Sequence, residues 1–213
     1  MYILGINAFH ADSSACILKD GIVICASEEE RFRRIKHWAG FPSESIKFCL
    51  TDAKISVEDL DYITISRDPK ANVSKKIIHT IKNRVEIKSV LDRLLNTKKV
   101  TSVKSELAKL FKLRESDIKA KVHNIEHHRS HIASAFFASR FKESAILSID
   151  GFGDFTSTMT SVGVGNKIKV LDCVNYPHSL GILYTTVTQF LGFHNYGDEY
   201  KVMGLAPYGK PKY

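Results

Sequence analysis

The sequence predicts an α/β protein in which one strand–turn–strand unit occurs twice. Its 213 residues are 44% hydrophobic and 25% charged, which is ordinary for a globular protein. Strand-length apolar runs alternate with segments whose apolar residues have helical spacing. A strand, a polar turn with an acidic residue and a second strand occur at residues 2–18 and again at 145–162. This repeat suits a duplicated fold with a ligand between its halves.

The first half is predicted to begin with strands at residues 2–7, 14–18 and 22–27, the last two joined by an Asp20-Gly21 turn. A helix at 43–53 follows, with Ser43 as its N-cap. We expect the next elements to be a strand at 62–66 and two basic helices at 75–95 and 102–113.

The rest of the chain is predicted to contain four further strands and two helices. The strands fall at residues 121–125, 145–150, 155–162 and 167–175, and the helices at 127–139 and 180–191. Residues 151–154, Gly-Phe-Gly-Asp, are expected to form the turn of the second hairpin.

Positive charge is concentrated in one segment. The formal net charge is +8, and 16 of the 31 basic residues but only 6 of the 23 acidic ones lie between Arg67 and Lys121. Such a stretch can bind nucleic acid or anionic membranes. Its only aromatic residue is Phe111, so it offers no stacking platform for single strands. We therefore expect solvated faces of amphipathic helices and disfavour nucleic acid as a partner.

The expected compartment is the cytoplasm, with no membrane association. No apolar run approaches the roughly 20 residues that span a bilayer, and the N-terminal residues lack the basic segment of a signal peptide. The four cysteines have no C-x-x-C spacing, which favours buried thiols in a reducing cytosol over disulfides or a zinc knuckle.

A metal-like constellation lies around residue 127. His127 and His131 are four residues apart, which on a helix places them on one face. Asp150, at the end of a predicted strand, is the candidate third ligand. Two imidazoles and a carboxylate suit Fe²⁺, Zn²⁺ or Mn²⁺. The alternative is that the histidines are hydrogen-bonding surface groups at a helix N-terminus.

The two hairpin turns are candidate phosphate sites. Each has an aspartate among small residues, in Asp12-Ser13-Ser14 and in Asp150-Gly151. The backbone N–H groups of such turns can approach phosphate oxygens closely. Asp-Gly turns are also common without a ligand, so an ordinary turn is the alternative.

Several motifs together resemble the N-terminal part of the carbamoyltransferase family, the O-carbamoyltransferases that act on nodulation factors and antibiotics. In chain order they are Gly5-Ile6-Asn7 with His10-Ala11-Asp12-Ser13-Ser14-Ala15, Ser27-Glu28-Glu29-Glu30-Arg31-Phe32 with Lys36 and His37, His127-His128-Arg129-Ser130-His131, Asp150-Gly151-Phe152-Gly153-Asp154, Ser179-Leu180-Gly181, and Tyr200-Lys201-Val202-Met203-Gly204. One departure is His10-Ala11-Asp12, because the family usually has His directly followed by Asp.

The resemblance implies an actin/Hsp70-like fold of two ribonuclease-H-like lobes. Residues 1–140 would form the first lobe, including the His-x-x-x-His helix, and residues 141–213 the start of a second, truncated lobe. Complete members also carry a C-terminal YrdC-like domain, which makes carbamoyl-adenylate from carbamoyl phosphate and ATP. With that domain missing, we expect this chain alone to be inactive in the full reaction.

The resemblance also assigns roles to residues. It implies that His127, His131 and Asp150 bind a divalent metal, generally iron, and that a carbamoyl group passes from carbamoyl-adenylate to the hydroxyl of a small molecule. His10 and Asp12 would orient or deprotonate that hydroxyl. The candidate substrate- and nucleotide-binding residues are Lys36, His37, Gly151, Gly153, Asp154, Glu199 and Lys201.

Two other functions stay open on the sequence. One is a non-catalytic nucleotide- or metal-binding fragment. The other is a relative that acts on tRNA, which the basic segment would support. Residues 28–34 are equally compatible with a salt-bridged loop and with a substrate contact.

Overall fold

The computed structural model describes residues 1–82 and 103–212, which belong to two compact units, Met1–His127 and His128–Tyr213. The predicted basic helices therefore lie partly outside the described residues. No helix in the described part of the chain is long and apolar enough to cross a membrane. The four cysteines are free thiols.

Unit 1 is built on a mixed five-stranded sheet. Its strands are β1 (Tyr2–Asn7), β2 (Ser14–Lys19), β3 (Ile22–Glu28), β4 (Tyr62–Ile65) and β5 (Lys121–Asn124). Their spatial order is β3-β2-β1-β4-β5, with β1, β2 and β3 antiparallel and β1, β4 and β5 parallel.

Helices connect the parallel strands of unit 1, since a parallel pair needs a crossover connection. Between β3 and β4 lie α1 (Glu30–Arg33) and α2 (Ser43–Asp52), and between β4 and β5 lie α3 (Val73–Lys82) and α4 (Val103–Phe111). A three-strand meander continued by parallel strands and crossover helices agrees with a ribonuclease-H-like lobe, and the predicted α/β fold class is confirmed.

The buried residues of unit 1 recur at the spacing typical of the strand or helix that carries them. On β1, Leu4 and Ile6 are buried two residues apart on one face of the sheet. On α2, Ile46, Cys49 and Leu50 are buried at helical spacing in the same apolar cluster. The sheet face and the helix stripe therefore bury each other.

The start of α2 differs from the prediction. Ser43 was expected as its N-cap, but Ser43 is the first helical residue and no side chain of the flanking position caps the helix. The carboxylate of Glu29 instead accepts hydrogen bonds from the backbone N–H groups of Glu44 (3.2 Å) and Ser45 (2.8 Å) and from Arg33 Nε (2.7 Å). An anion at the helix N-terminus satisfies amides that have no partner within the helix.

The basic helices are partly solvated, as predicted, with one exception. On α3 no residue is buried, and Ile78 and Ile81 are exposed as well as Lys75 and Lys82. On α4, Val103 and Leu107 are buried in the core. Lys104 is not a purely solvated group, because its ammonium donates a 2.9 Å hydrogen bond to the carbonyl of Ile118.

Unit 2 contains an antiparallel three-stranded sheet in the order β6-β7-β8. Its strands are β6 (Glu143–Gly153), β7 (Thr156–Val164) and β8 (Lys167–Asn175), and its helices are α5 (His127–Ala138), α6 (Leu180–Phe190) and α7 (Glu199–Leu205). Helix α5 starts at the last residue of unit 1 and otherwise belongs to unit 2. It packs Ile132 and Phe136 against Ile146 and Met159 of the sheet.

The turn of the second hairpin lies later than predicted. Gly151 and Gly153 belong to β6, and the turn is formed by Asp154 and Phe155, whose φ angles are 49° and 79°. The β6–β7 pairing is irregular between Ile149 and Gly153. Strand β6 thus continues through Asp150 and Gly151, although its pairing with β7 is irregular there.

We expect Glu29→Ala to lower the free energy of unfolding by about 2 kcal/mol, since it removes a buried acceptor from two helix-terminal amides and from Arg33. Urea unfolding followed by circular dichroism measures this. The neighbouring exposed Glu28 provides the control, and Glu28→Ala should stay within about 0.5 kcal/mol of the parent. Equal stabilities of the two variants would contradict the capping role.

Candidate functional site

The loop after β1 has a tightly held backbone. Phe9 and Asp12 adopt left-handed conformations, with φ of 64° and 61°, which is uncommon for residues other than glycine. The side-chain amide of Asn7 donates to the carbonyl of Asp12 at 2.8 Å. The hydroxyl of Ser13 lies 2.8 Å from the carbonyl of Gly40, whose own N–H donates back to that hydroxyl at 3.1 Å. These bonds fix the first hairpin loop against the loop that precedes α2.

The structure brings Asp12 and His37 together. His37 Nδ1 lies 2.9 Å from Asp12 Oδ1, and both side chains are about half exposed. The backbone N–H of His37 also donates to Glu30 Oε2 at 3.2 Å, and His37 has a left-handed φ of 54°. Two left-handed residues bonded to each other mark a constrained loop, and such constraint is concentrated at functional sites. Lys36 is exposed on the same loop.

His10 does not bond to Asp12 through its Nδ1. That nitrogen lies 3.0 Å from the carbonyl of Ala11, which can only accept, so Nδ1 carries the hydrogen and Nε2 the lone pair. The ring lies 6.3 Å from that of His127. Burial lowers the pKa of His10, and the nearby imidazole of His127 lowers it further.

The three predicted metal ligands lie together. His127 and His131 on α5 and Asp150 on β6 each offer one ligand atom, and these atoms all lie within 4.8 Å of one another. His131 Nε2 and Asp150 Oδ2 are 3.5 Å apart. Asp150 Oδ1 accepts the N–H of Gly151 at 2.6 Å. The donor set is that of sites for Fe²⁺, Zn²⁺ or Mn²⁺, and the separations allow one ion to contact all three residues.

The N-terminus of α6 holds the backbone of Asp150. The hydroxyl of Ser179, its N-cap, lies 3.1 Å from the carbonyl of Asp150 and 2.8 Å from that of Gly151, and it accepts the N–H of Ile182. A Cβ on Gly181 would lie 2.6 Å from the carbonyl carbon and oxygen of Asp150. Only glycine permits this approach without a backbone shift.

The remaining candidate residues of unit 2 have structural partners. Glu199 accepts the hydroxyl of Thr185 at 2.6 Å, and Lys201 forms a 2.6 Å salt bridge with Asp198. This bond lowers the pKa of Asp198 and raises that of Lys201. Gly153 pairs with Thr156 of β7, and Asp154 lies in the turn.

Sequence reasoning missed several residues that shape these groups. Glu29 bonds to Arg33 of α1 and to the start of α2, and His128 is fully buried beside the histidine pair. Trp38 lies with its ring 4.5 Å from the guanidinium carbon of Arg33. Glu29 lies inside the motif at residues 27–32 and Arg33 directly follows it, and the salt bridge between them gives both a structural role.

The comparison with protein families decides the membership of the chain. The family model described as the carbamoyltransferase N-terminus matches residues 2–213. The chain belongs to this family. Proteins similar to it include an uncharacterised protein of Synechocystis sp., 40% identical over the whole chain and 35% of the relative, and nodulation protein NolNO of Sinorhizobium fredii, 38% identical over 96% of the chain and 29% of the relative.

The carbamoyltransferase-family chain thus spans about a third of the length of these relatives, 35% and 29% respectively. Among solved structures, it is similar to YeaZ from Pseudomonas aeruginosa, with a TM-score of 0.42 and 11% identity over 83% of this chain and 68% of that one.

Gly181→Ala should lower the free energy of unfolding by about 1–3 kcal/mol, because the new methyl group overlaps the backbone of Asp150. It should also weaken the binding of Co²⁺, since Asp150 must move. Thermal unfolding and Co²⁺ titration measure the two effects. Gly204→Ala is the control: a Cβ there meets no atom within 4 Å, so alanine in this helix should be neutral or slightly stabilising. If the two variants had equal thermal stability and equal affinity for Co²⁺, close packing at Gly181 would be excluded.

Proposed function

We propose that this carbamoyltransferase-family chain contributes the transfer centre of an O-carbamoyltransferase. In that reaction a carbamoyl group moves from carbamoyl-adenylate, formed from carbamoyl phosphate and ATP, to an acceptor hydroxyl. The observation that carries the proposal is the convergence of His127, His131 and Asp150 within 4.8 Å. Membership in the family supplies the reaction class.

The donor set fits a divalent metal. The side chains of His131 and Asp150 are about half exposed, so an ion has access to them. Iron is our first candidate, as the family resemblance implies, with zinc or manganese as alternatives. When bound, the metal would supply positive charge that neutralises the phosphate of the departing AMP.

The transfer step is an acyl substitution. The acceptor oxygen bonds to the carbamoyl carbon, the bond from that carbon to the phosphate oxygen breaks, and AMP leaves with the electron pair. The acceptor proton needs a base. His10 is our candidate, because its Nδ1–H is committed to the carbonyl of Ala11 and its lone pair is therefore on Nε2.

The other candidate residues divide into three groups. Asp12 holds His37, and with the neighbouring Lys36 these residues form a polar loop that we assign to substrate or nucleotide binding. The backbone of Gly151, Gly153 and Asp154 is our candidate for phosphate contact. Glu199 and Lys201 are also candidates for binding substrate or nucleotide, and they would do so while bonded to Thr185 and Asp198.

Removal of either histidine ligand should abolish stable metal binding. We expect His127→Ala and His131→Ala, purified after incubation with Fe²⁺ under anaerobic conditions, to retain less than about a tenth of the metal of the parent chain, because two ligands remain of three. Elemental analysis measures the content. His194→Ala, a change at an exposed histidine of unit 2, is the control and should retain parental metal. A parent chain without metal, or equal content in all variants, would refute the centre.

The 213 residues alone should not form carbamoyl-adenylate. They span about a third of the relatives' length, 35% and 29%, and we assign adenylate formation to a YrdC-like domain outside them. The exposure of Leu147 and Ile149, on the face of β6 opposite the buried Ile146, would suit packing by further polypeptide. The assay supplies carbamoyl phosphate and ATP to the purified chain and follows carbamoyl-adenylate and AMP. Turnover above the rate without protein would contradict this assignment.

A further inference from the structure

A buried histidine links α5 to both strands of the second hairpin. The side chain of His128 has no exposed surface. Its Nδ1 lies 2.8 Å from the hydroxyl of Ser148 on β6, and its Nε2 lies 3.0 Å from the carbonyl of Thr156 on β7. Ser148 and Thr156 are themselves buried. No step of the proposed reaction uses this ring.

The two hydrogen bonds determine the tautomer of His128. The carbonyl of Thr156 can only accept, so Nε2 carries the hydrogen. In the neutral ring Nδ1 is then an acceptor, and the hydroxyl of Ser148 donates to it. The ring can make both bonds in one orientation only, which makes it a directional connection between helix and sheet.

The connection lies next to the metal-binding group. Ser148 and Asp150 are two residues apart on β6, and both approach histidines of α5, Ser148 at His128 and Asp150 at His131. His128 and His131 are three residues apart on α5, with ring centroids 6.1 Å apart. The His128–Ser148 bond therefore lies beside the 3.5 Å approach of His131 to Asp150. A slip of α5 along the strand would break the first contact and separate the second.

We infer that His128 is a positioning residue that sets the distance and angle between the histidine pair and Asp150, and so determines the coordination geometry of the metal. This inference rests on the proposed metal centre and adds a residue that is not itself a ligand. Groups that orient metal ligands typically affect affinity 10–100-fold. Removing His128 should therefore weaken metal binding less than removing His127 or His131 does.

Co²⁺ is the probe, because its visible absorption reports coordination geometry as well as binding. We expect His128→Leu to raise the Kd for Co²⁺ about tenfold and to change the visible bands. His128→Gln should recover most of the affinity, because its amide N–H can reach the carbonyl of Thr156. Ser148→Ala, which removes only a hydroxyl, should give a smaller shift in the same direction.

Ser161→Ala is the matched control. Ser161 is a buried serine on β7 whose hydroxyl has no hydrogen-bond partner within the described residues. This variant should leave both the Kd and the spectrum unchanged. Thermal unfolding without metal identifies any variant that fails to fold, and Ser148→Ala then carries the test in place of His128→Leu.

Two negative results have different meanings. A parental Kd and spectrum in folded His128→Leu, or in Ser148→Ala where His128→Leu does not fold, would overturn the positioning role and leave the metal centre intact. A parent chain that binds no Co²⁺ would overturn the metal centre itself, and the positioning role with it.

Discussion

The alternation of side chains along β6 is the constraint on which unit 2 depends. Ile146, Ser148 and Asp150 follow one another at a spacing of two residues, and each meets a residue of α5. The first packs in the apolar cluster with α5, the second bonds to His128 and the third approaches His131. Along β6, the surroundings of these three side chains thus change from an apolar cluster at Ile146, to a buried hydrogen bond at Ser148, to a half-exposed polar group at Asp150. A shift of one residue in the strand would turn all three away from the helix.

In unit 1, several elements depend on one buried charge, the carboxylate of Glu29. Glu29 has no exposed surface, yet its carboxylate accepts from two backbone amides at the start of α2 and from Arg33. A buried carboxylate is tolerable when its oxygens are this fully bonded. Glu29 directly follows β3, and its partners Arg33 and Ser45 lie before and after the loop with Lys36 and His37. Helix capping and the placement of this polar loop therefore depend on one anion.

Local patterns predicted most elements, whereas pairings between distant residues were predicted poorly. The strand from Lys167 to Asn175 matches its prediction, because alternation and flanking turn residues are local signals. The prediction that Ser43 caps α2 was wrong, because the carboxylate of Glu29, distant in sequence, accepts the hydrogen bonds of the helix-terminal amides. The proximity of His127 and His131 could be predicted because they are one helical turn apart. The bond between Asp12 and His37 could not, since no period connects residues from two different loops.

Trp38 is the single tryptophan of the chain, and its position gives the protein an internal optical reporter. Its ring lies 4.5 Å from the guanidinium carbon of Arg33, and it directly follows His37, which bonds to Asp12. Emission excited beyond the tyrosine band therefore comes from this loop alone. A cation stacked on an indole alters its emission, so any rearrangement of the Arg33–Trp38 pair changes the fluorescence without an added label.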